Sequence, residues 1–292
     1  MFSSLFKALH FLRSSGNTTA QVYDDMLGEN GLAFDTKTHI PSVNMGYWKD
    51  ISVISQEKLH EANRAMFRLV SEAAMFSEHD EKVVDVGCGF ATNMKYCLEN
   101  HQINKMIGLN ISTFQIEWGN HFLTASGLAE KGEVIMGSAT NMPFEDNSID
   151  RMVSIEAAFH FETRADFLQE VKRVLKPDGI FSMADLIICK PQSWLQKWLV
   201  KSIMKTLYVP PQNIYNYAEY EQLVQQSGLE ILEIESIKNE VVIPFNKWFW
   251  KRPITVFWDY NLLWSIAGLG FMFAKLDYMR VVARKKKLKV ES

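Results

Sequence analysis

The sequence contains few cysteines and no excess of positive charge. Its 292 residues include three cysteines, Cys88, Cys97 and Cys189, and its formal net charge is −3. An odd, sparse set of cysteines does not form a disulfide framework, and the absence of a CxxC pair or a Cys/His cluster argues against a metal site. The lack of a broad basic field argues against nucleic acid as a partner. These absences together predict a metal-free, cytoplasmic protein.

The sequence also lacks a clear membrane-spanning segment. Residues 253–274 are the most apolar, but Asp259 and Asn261 interrupt them and Gly268 and Gly270 weaken them as a helix. A spanning helix needs about 20 nearly uncharged residues. We therefore interpret this stretch as a buried or ligand-facing cap.

The first residues of the sequence do not have the features of a signal peptide. Residues 1–12 lack a charged start and a small-residue cleavage site, and their apolar residues fall at helical spacing. This predicts an amphipathic helix that packs on its own domain, with a membrane-surface helix as the alternative. The basic run from Arg284 to Lys289 is typical of a solvated terminus, and contact with anionic lipid is again the alternative.

The middle of the chain alternates strand-like and helix-like segments. Such alternation with short loops predicts an α/β fold with a doubly wound, mostly parallel sheet, which binds ligands at the carboxyl ends of its strands. The expected strands are 82–86, 105–109, 133–136, 150–155, 180–184, 229–237 and 277–283, and the expected helices are 92–99, 112–124, 163–175, 193–207, 217–226 and part of 243–275.

We expect five regions along the chain. They are an N-terminal helical or lid segment (1–60), a cofactor-binding core (61–186), a helical cap (187–228), C-terminal strands with an aromatic-rich insertion at 243–275 (229–285) and a basic tail (286–292).

A glycine-rich turn follows the first predicted strand. Gly87, Cys88 and Gly89 lie between that strand and a helix. Glycines there let the backbone approach a ligand closely, and the helix N-terminus offers free N–H groups to a negative group. Thr92 stands where a third dinucleotide-type glycine would lie, and Asp85 precedes the first glycine by two residues. The turn therefore predicts a cofactor site of a kind other than a nicotinamide dinucleotide site.

Several stretches in register with this turn resemble a known family. The chain is similar to class I S-adenosylmethionine (SAM)-dependent small-molecule methyltransferases, and resembles most the erythromycin-type macrolide O-methyltransferases of natural-product biosynthesis. Similarity to sterol and quinone methyltransferases is weaker. The resemblance covers about residues 40–285, and the matching stretches are 44–49, the glycine turn, 137–144, 154–160 and 174–177, with 239–242 and 283–285 matching the family's last strands.

The resemblance implies SAM as cofactor, S-adenosylhomocysteine as product, and no metal. Tyr47 and Trp48 would close over the cofactor from the N-terminal segment. Asn110, at the end of the second strand, holds a place where an acid is commoner, and its amide oxygen can still accept from ribose hydroxyls. The other expected cofactor contacts are Asp85, Gly87, Cys88, Gly89, Gln115, Ser138, Ala139 and Glu156, with Met142 beside the adenine.

The expected catalytic residues follow the fourth and fifth strands. An alcohol acceptor must lose its proton, and a histidine suits that role at neutral pH. His160 is therefore the predicted base, and Asp185 its partner or a second contact with the acceptor. Glu156 is expected to order the cofactor loop or the acceptor.

Aromatic residues of the cap are the candidates for binding the acceptor. A small, hydrophobic natural product or lipid-like molecule suits an aromatic lining, whereas ordinary core packing is the alternative for each residue. These residues are Trp194, Trp198, Tyr208, Phe245, Trp248, Phe249 and Trp250.

Three other functions remain open on the sequence. A C-methyltransferase acting on a sterol-, quinone- or isoprenoid-like acceptor would have the same cofactor motifs. A nicotinamide-dependent reductase is disfavoured by Asn110 and by the missing third glycine. A non-catalytic SAM-binding protein is kept open by Ser138 and Asn110. The acceptor, the methylated atom and the oligomeric state are not encoded in these motifs.

Overall fold

The computed structural model describes residues 44–251, except Lys190 and Gln192, and residues 276–285. The predicted N-terminal helix at 1–12, the apolar stretch at 253–274 and the tail beyond Lys285 lie outside the described residues.

The described chain alternates strands and helices as predicted. The strands are β1 (Val83–Val86), β2 (Met106–Asn110), β3 (Gly132–Met136), β4 (Ile149–Ile155), β5 (Leu175–Ile188), β6 (Glu230–Ser236) and β7 (Leu276–Arg284). The α-helices are α1 (Gln56–Ala73), α2 (Thr92–Asn100), α3 (Thr113–Ala125), α4 (Arg164–Val174), α5 (Trp194–Leu207), α6 (Tyr217–Gln226) and α7 (Lys238–Trp250), and Ala158–His160 and Pro211–Asn213 form short 3₁₀ turns.

The seven strands form one sheet in the order β3-β2-β1-β4-β5-β7-β6. The first five are parallel, and β7 runs antiparallel to both β5 and β6. The prediction of a doubly wound, mostly parallel seven-stranded α/β sheet is therefore confirmed. Because β1 lies between β2 and β4, the carboxyl ends of these three strands meet at one edge, where such sheets bind ligands.

Buried side chains on both faces of the sheet explain why it is covered by helices. On β1, Val83 packs into one hydrophobic cluster and Val84 into the other. Strands that are buried on both sides must be flanked by two helical layers. Side-chain caps fix two of the helix starts: Ser112 accepts from the backbone N–H of Gln115, and Thr163 from that of Asp166.

The structure corrects two details of the predicted elements. β5 runs from Leu175 to Ile188 and so is longer at both ends than the expected strand at 180–184. The stretch 239–242, matched above to a final strand, instead opens helix α7. The buried residues of α7 explain this, because Val241, Phe245 and Trp248 recur at the spacing of a helix and not at the alternation of a strand. Within the described ranges, no helix has the length and apolarity to cross a bilayer.

Candidate active site

The glycine turn lies at the carboxyl end of β1 with its backbone in left-handed conformations. Gly87 has φ +73°, and a Cβ placed on it would lie 2.4 Å from Ala157 Cβ. Gly89 has φ +54°, but a Cβ placed there would have no heavy atom within 4 Å. Ala91, also left-handed with φ 60°, precedes the first turn of α2. Gly87 is therefore needed for packing, whereas the turn at Gly89 borders open space that a ligand can enter.

Asp85 is buried beneath this turn. Its Oδ2 accepts a hydrogen bond from Asn93 Nδ2 over 3.0 Å, which joins β1 to α2. Burial raises the pKa of the Asp85 carboxyl to about 7. The side chain of Cys88 is also buried, and together with Met94 it fills the space beside Gly108. What Cys88 presents at the turn is therefore its backbone.

Asn110 connects the glycine turn to the start of α3. Its Nδ2 donates to Gly89 O over 3.1 Å and to Gln115 Oε1 over 2.9 Å. Its Oδ1 accepts from the backbone N–H groups of Ile111 and Ser112. The structure therefore brings Asn110 and Gln115 together, as expected for a shared site, and it gives the amide oxygen of Asn110 two backbone partners.

The stretch 137–144 lies beside the end of β2. Gly137 donates its backbone N–H to Asn110 O over 2.9 Å. Ser138 is exposed and its Oγ lies 3.0 Å from Thr140 Oγ1, whereas Ala139 and Met142 are buried. Of the three residues of this stretch that were expected to contact the cofactor, Ser138 is therefore accessible, and Ala139 and Met142 belong to the hydrophobic core.

An ion pair on α4 anchors this stretch, and it was not among the residues predicted from the sequence. Glu170 Oε2 accepts from the backbone N–H of Met142 over 2.6 Å, and Arg173 donates to Met142 O over 3.0 Å. Glu170 and Arg173 also bond to each other. Their i, i+3 spacing of opposite charges was the signal that could have revealed the pair.

Glu156 joins the end of β4 to both termini of the described chain. Its Oε1 accepts from the backbone N–H of Met45 over 2.6 Å and from Tyr278 Oη over 2.8 Å. Burial raises the pKa of the Glu156 carboxyl to about 7. The backbone at Glu156 is left-handed, with φ 49°. Glu156 therefore fastens the N-terminal segment across the end of the sheet.

The N-terminal segment is packed down beside this carboxyl. The indole N–H of Trp48 donates to Met45 O over 2.8 Å, and its backbone N–H donates to Glu240 O on α7. Tyr47 donates its backbone N–H to Ala62 O on α1, and its side chain is only partly buried. Trp48, by contrast, is 3% exposed. The two residues expected to form a lid thus differ: Trp48 belongs to the core, and Tyr47 reaches the surface.

His160 ends the 3₁₀ turn that follows β4. Asn213 holds this turn from the other side of the loop: its Nδ2 donates to Phe161 O over 2.7 Å and to Phe159 O over 3.4 Å. The ring of His160 lies against that of Phe159, with 3.9 Å between centroids. The predicted base therefore lies on a clamped turn, in which the backbone carbonyls of the residues before and after His160 accept hydrogen bonds from Asn213.

Asp185 has partners other than the one expected. Its Oδ2 accepts from Arg164 Nε over 2.7 Å and from Tyr220 Oη over 3.1 Å, and no hydrogen bond joins it to His160. Arg164 also donates to the carbonyl oxygens of Asn213 and Leu186. Asp185 is thus linked to the histidine turn indirectly, through Arg164 and Asn213. A buried arginine and a buried asparagine have no marker in a single sequence, so neither could be predicted.

The aromatic residues expected to bind the acceptor differ widely in exposure, and among them Phe249 is 2% and Trp250 38% exposed. Phe245 and Trp248 are 9% and 7% exposed and pack on each other at 5.2 Å between centroids. Tyr208, at the end of α5, is half-buried. Trp194 and Trp198 are 81% and 61% exposed, which is a surface arrangement and not the enclosed one expected.

Comparisons with known proteins agree with this geometry. A family model described as a methyltransferase domain matches residues 84–183. The chain is 28% identical over 217 residues to erythromycin 3''-O-methyltransferase of Saccharopolyspora erythraea, covering 73% of this chain and 69% of that protein. A shorter match, 34% identical over 107 residues, is to a sterol 24-C-methyltransferase of Gibberella zeae and covers 37% of this chain and 28% of that protein.

A solved structure is similar over most of the chain. Geranyl diphosphate C-methyltransferase from Streptomyces coelicolor, solved with Mg²⁺, geranyl diphosphate and S-adenosylhomocysteine, has a TM-score of 0.70 at 15% identity. The match covers 85% of this chain and 94% of that one. The glycine turn, the strand order and these matches make the chain similar to class I SAM-dependent small-molecule methyltransferases, with the methyltransferase-domain model matching residues 84–183.

Proposed function

We propose that this protein transfers the methyl group of SAM to a hydroxyl group of a small, hydrophobic natural product or lipid-like molecule. The observation that carries the proposal is the position of His160 on a clamped turn at the end of β4, the strand next to the one that ends in the glycine turn. Similarity to an O-methyltransferase supports a hydroxyl acceptor.

The residues around the glycine turn fit SAM. The open space beside Gly89 admits a ligand, and the N–H groups at the start of α2 suit its carboxylate. Asp85 would orient the turn through Asn93. The remaining contacts we assign are Tyr47, Gly87, the backbone of Cys88, Asn110, Gln115, Ser138, Ala139 and Glu156. When bound, SAM supplies an electrophilic methyl group on a sulfonium.

The histidine would accept the proton of the acceptor hydroxyl. A base within hydrogen-bond reach of that hydroxyl contributes typically 10²–10⁴-fold to the rate. Since Asp185 is bonded to Arg164, its role in this proposal is to position the histidine turn and not to pair with the imidazole. Positioning and exclusion of water supply the rest of the rate.

In this proposal the acceptor would lie against aromatic residues of α7 and the end of α5. Phe245 and Trp248 pack on each other in the core cluster that also contains Val209, the neighbour of the half-buried Tyr208. Such a lining suits a hydrophobic acceptor. Glu156 would order this region by fastening the N-terminal segment.

The test is transfer of label from methyl-labelled SAM to a panel of acceptors: hydroxylated macrolides, sterols and geranyl diphosphate. We expect labelled product from at least one hydroxylated member, a fall of about 10²–10⁴-fold in kcat for His160→Ala, and no such fall for the matched control His121→Ala, an exposed histidine on α3. Near-normal kcat in His160→Ala would remove the histidine from the chemistry.

A C-methyl transfer is the second candidate. The local similarity to a sterol 24-C-methyltransferase supports it. Fragmentation of the product by mass spectrometry would locate the new methyl group on oxygen or carbon. A methyl group on carbon, together with an active His160→Ala variant, would favour this candidate.

A further inference from the structure

Helix α5 exposes large apolar side chains. Trp194, Leu195 and Trp198 are 81%, 50% and 61% exposed. Trp194 and Trp198 are one helical turn apart and so share one side of the helix. Lys201 lies a further turn along the same side, and Lys197 is next to it; both lysines are exposed. We call these five residues the tryptophan face.

The orientation of α5 is fixed by its other side. Val200 is 3% exposed and Met204 packs against the same core cluster, which also contains Phe245 and Trp248. Because Val200 and Met204 are themselves one turn apart, they form a separate buried stripe. Because α5 packs on the core through Val200 and Met204, the two indoles lie on another side of the helix and are exposed.

The segment of the sequence that contains the tryptophan face carries charge of one sign. Between Asp185 and Glu219 the sequence contains four lysines, Lys190, Lys197, Lys201 and Lys205, and no acidic residue or arginine. The protein as a whole has a net charge of −3, so this segment differs in sign from the rest of the molecule. A surface of negative charge is its electrostatic complement.

We propose that the tryptophan face docks the protein on the surface of a lipid bilayer that contains anionic lipids. The helix lies in the plane of the interface, with the indoles of Trp194 and Trp198 at the level of the headgroups. Indole rings are enriched at that depth because one part is apolar and one part polar. Lys197 and Lys201 contact the lipid phosphates, each contributing to attraction that depends on anionic lipid.

Two features favour a bilayer over a protein partner. The two charged residues of the face, Lys197 and Lys201, are both lysines, and lysine is depleted at protein interfaces. Two indoles one helical turn apart on the exposed side of a helix also suit a planar interface better than a groove. The proposal does not rest on the methyl transfer: Trp194 and Trp198 were expected to bind the acceptor, but they are exposed and do not belong to the core cluster of Phe245 and Trp248.

The test is co-sedimentation of the full-length protein with vesicles, without SAM or acceptor. Vesicles of phosphatidylcholine alone are compared with vesicles that contain phosphatidylglycerol as well. We expect binding to the anionic vesicles to fall about tenfold or more in Trp194→Ser/Trp198→Ser and in Lys197→Glu/Lys201→Glu. The matched control is Leu232→Ser, a 41% exposed leucine on β6, which should bind as the wild type does.

Other results would overturn the proposal. These are no binding of the wild type to anionic vesicles, unchanged binding in the double tryptophan variant, or binding that is equal for neutral vesicles. Self-association of the wild type that the tryptophan variant abolishes, in the absence of vesicle binding, would point to a second copy of the chain instead. Quenching of tryptophan fluorescence by brominated lipid, lost in the double tryptophan variant, would show independently that these indoles enter the interface.

Discussion

Arg164 donates from Nε to Asp185 Oδ2 over 2.7 Å, and the two side chains are 1% and 0% exposed. The remaining guanidinium nitrogens donate to the carbonyl oxygens of Asn213 and Leu186. A buried ion pair is tolerated when further hydrogen bonds satisfy its members. This one links α4, β5 and the turn at Asn213, and thereby holds the loop that carries His160.

Breaking this pair should destabilise the protein strongly. In Asp185→Asn, the Arg164 guanidinium remains buried without its counter-charge, and we expect the free energy of unfolding to fall by about 3–5 kcal/mol. The matched control is Asp146→Asn, whose carboxylate is 68% exposed beside Arg173 and should contribute at most about 1 kcal/mol. Urea denaturation of both variants measures the difference, and equal losses would contradict the argument.

Stability should depend on pH through Glu156. Burial raises the pKa of this carboxyl in the folded protein from 4.5 to about 7. The folded state thus binds the proton more tightly than the unfolded state, and the contribution to stability is complete below pH 4.5 and lost as the pH rises through 7. In Glu156→Gln, the fall in unfolding free energy between pH 5 and pH 8 should be smaller by roughly 2 kcal/mol.

This prediction is measured by urea denaturation of the ligand-free protein at several pH values. Because Asp85 is also buried with a pKa of about 7, the wild type and Glu156→Gln must be compared with each other. Glu162→Gln, on the exposed loop after His160, is the control and should keep the slope of the wild type. A Glu156→Gln variant with the same slope would show that this carboxyl does not titrate in the range.

The two glycines of the cofactor turn should respond differently to alanine. In Gly87→Ala, the new Cβ meets Ala157 at 2.4 Å in a left-handed backbone, so we expect a loss of about 2–4 kcal/mol in stability. In Gly89→Ala, the new Cβ enters open space, so only backbone strain of about 1–2 kcal/mol is expected.

Binding of SAM should separate the same two variants. The methyl group of Gly89→Ala points into the space where we place the ligand, so SAM affinity should fall even though the fold is nearly intact. Thermal denaturation and calorimetric titration with SAM measure the two effects. If Gly89→Ala binds SAM as tightly as the wild type does, the ligand does not approach the turn at that point.

The elements that depend on local sequence were predictable. Ser112 and Thr163 cap the two helices that were expected to begin at residues 112 and 163, and the glycine turn follows β1 as expected. Alternation and helical periodicity act over a few residues, so a single sequence contains them. The prediction of a strand at 239–242 was wrong, because it followed the family resemblance and not the helical spacing of the apolar residues.

The connections between distant residues were not predictable. Glu156 and Tyr278 are 122 positions apart, and nothing near either residue indicates the other. The same is true of Asp185, which directly follows the expected strand at 180–184 and so suggested His160 as its partner; in the structure β5 continues to Ile188, and Asp185 lies within it. The partner of Asp185 depends on the face of β5 from which its carboxylate projects. On that face Asp185 accepts hydrogen bonds from Arg164 and Tyr220.

The placement of β7 between β5 and β6 has a consequence for synthesis on the ribosome. β6 emerges well before β7, yet among the described strands its only partner is β7. Until β7 is translated, the long edge of β5 has unsatisfied backbone groups and β6 has no strand to pair with. The nascent chain therefore completes its sheet by a late, non-local step, which is slow in folding and leaves an edge open to aggregation or chaperone binding in the interval.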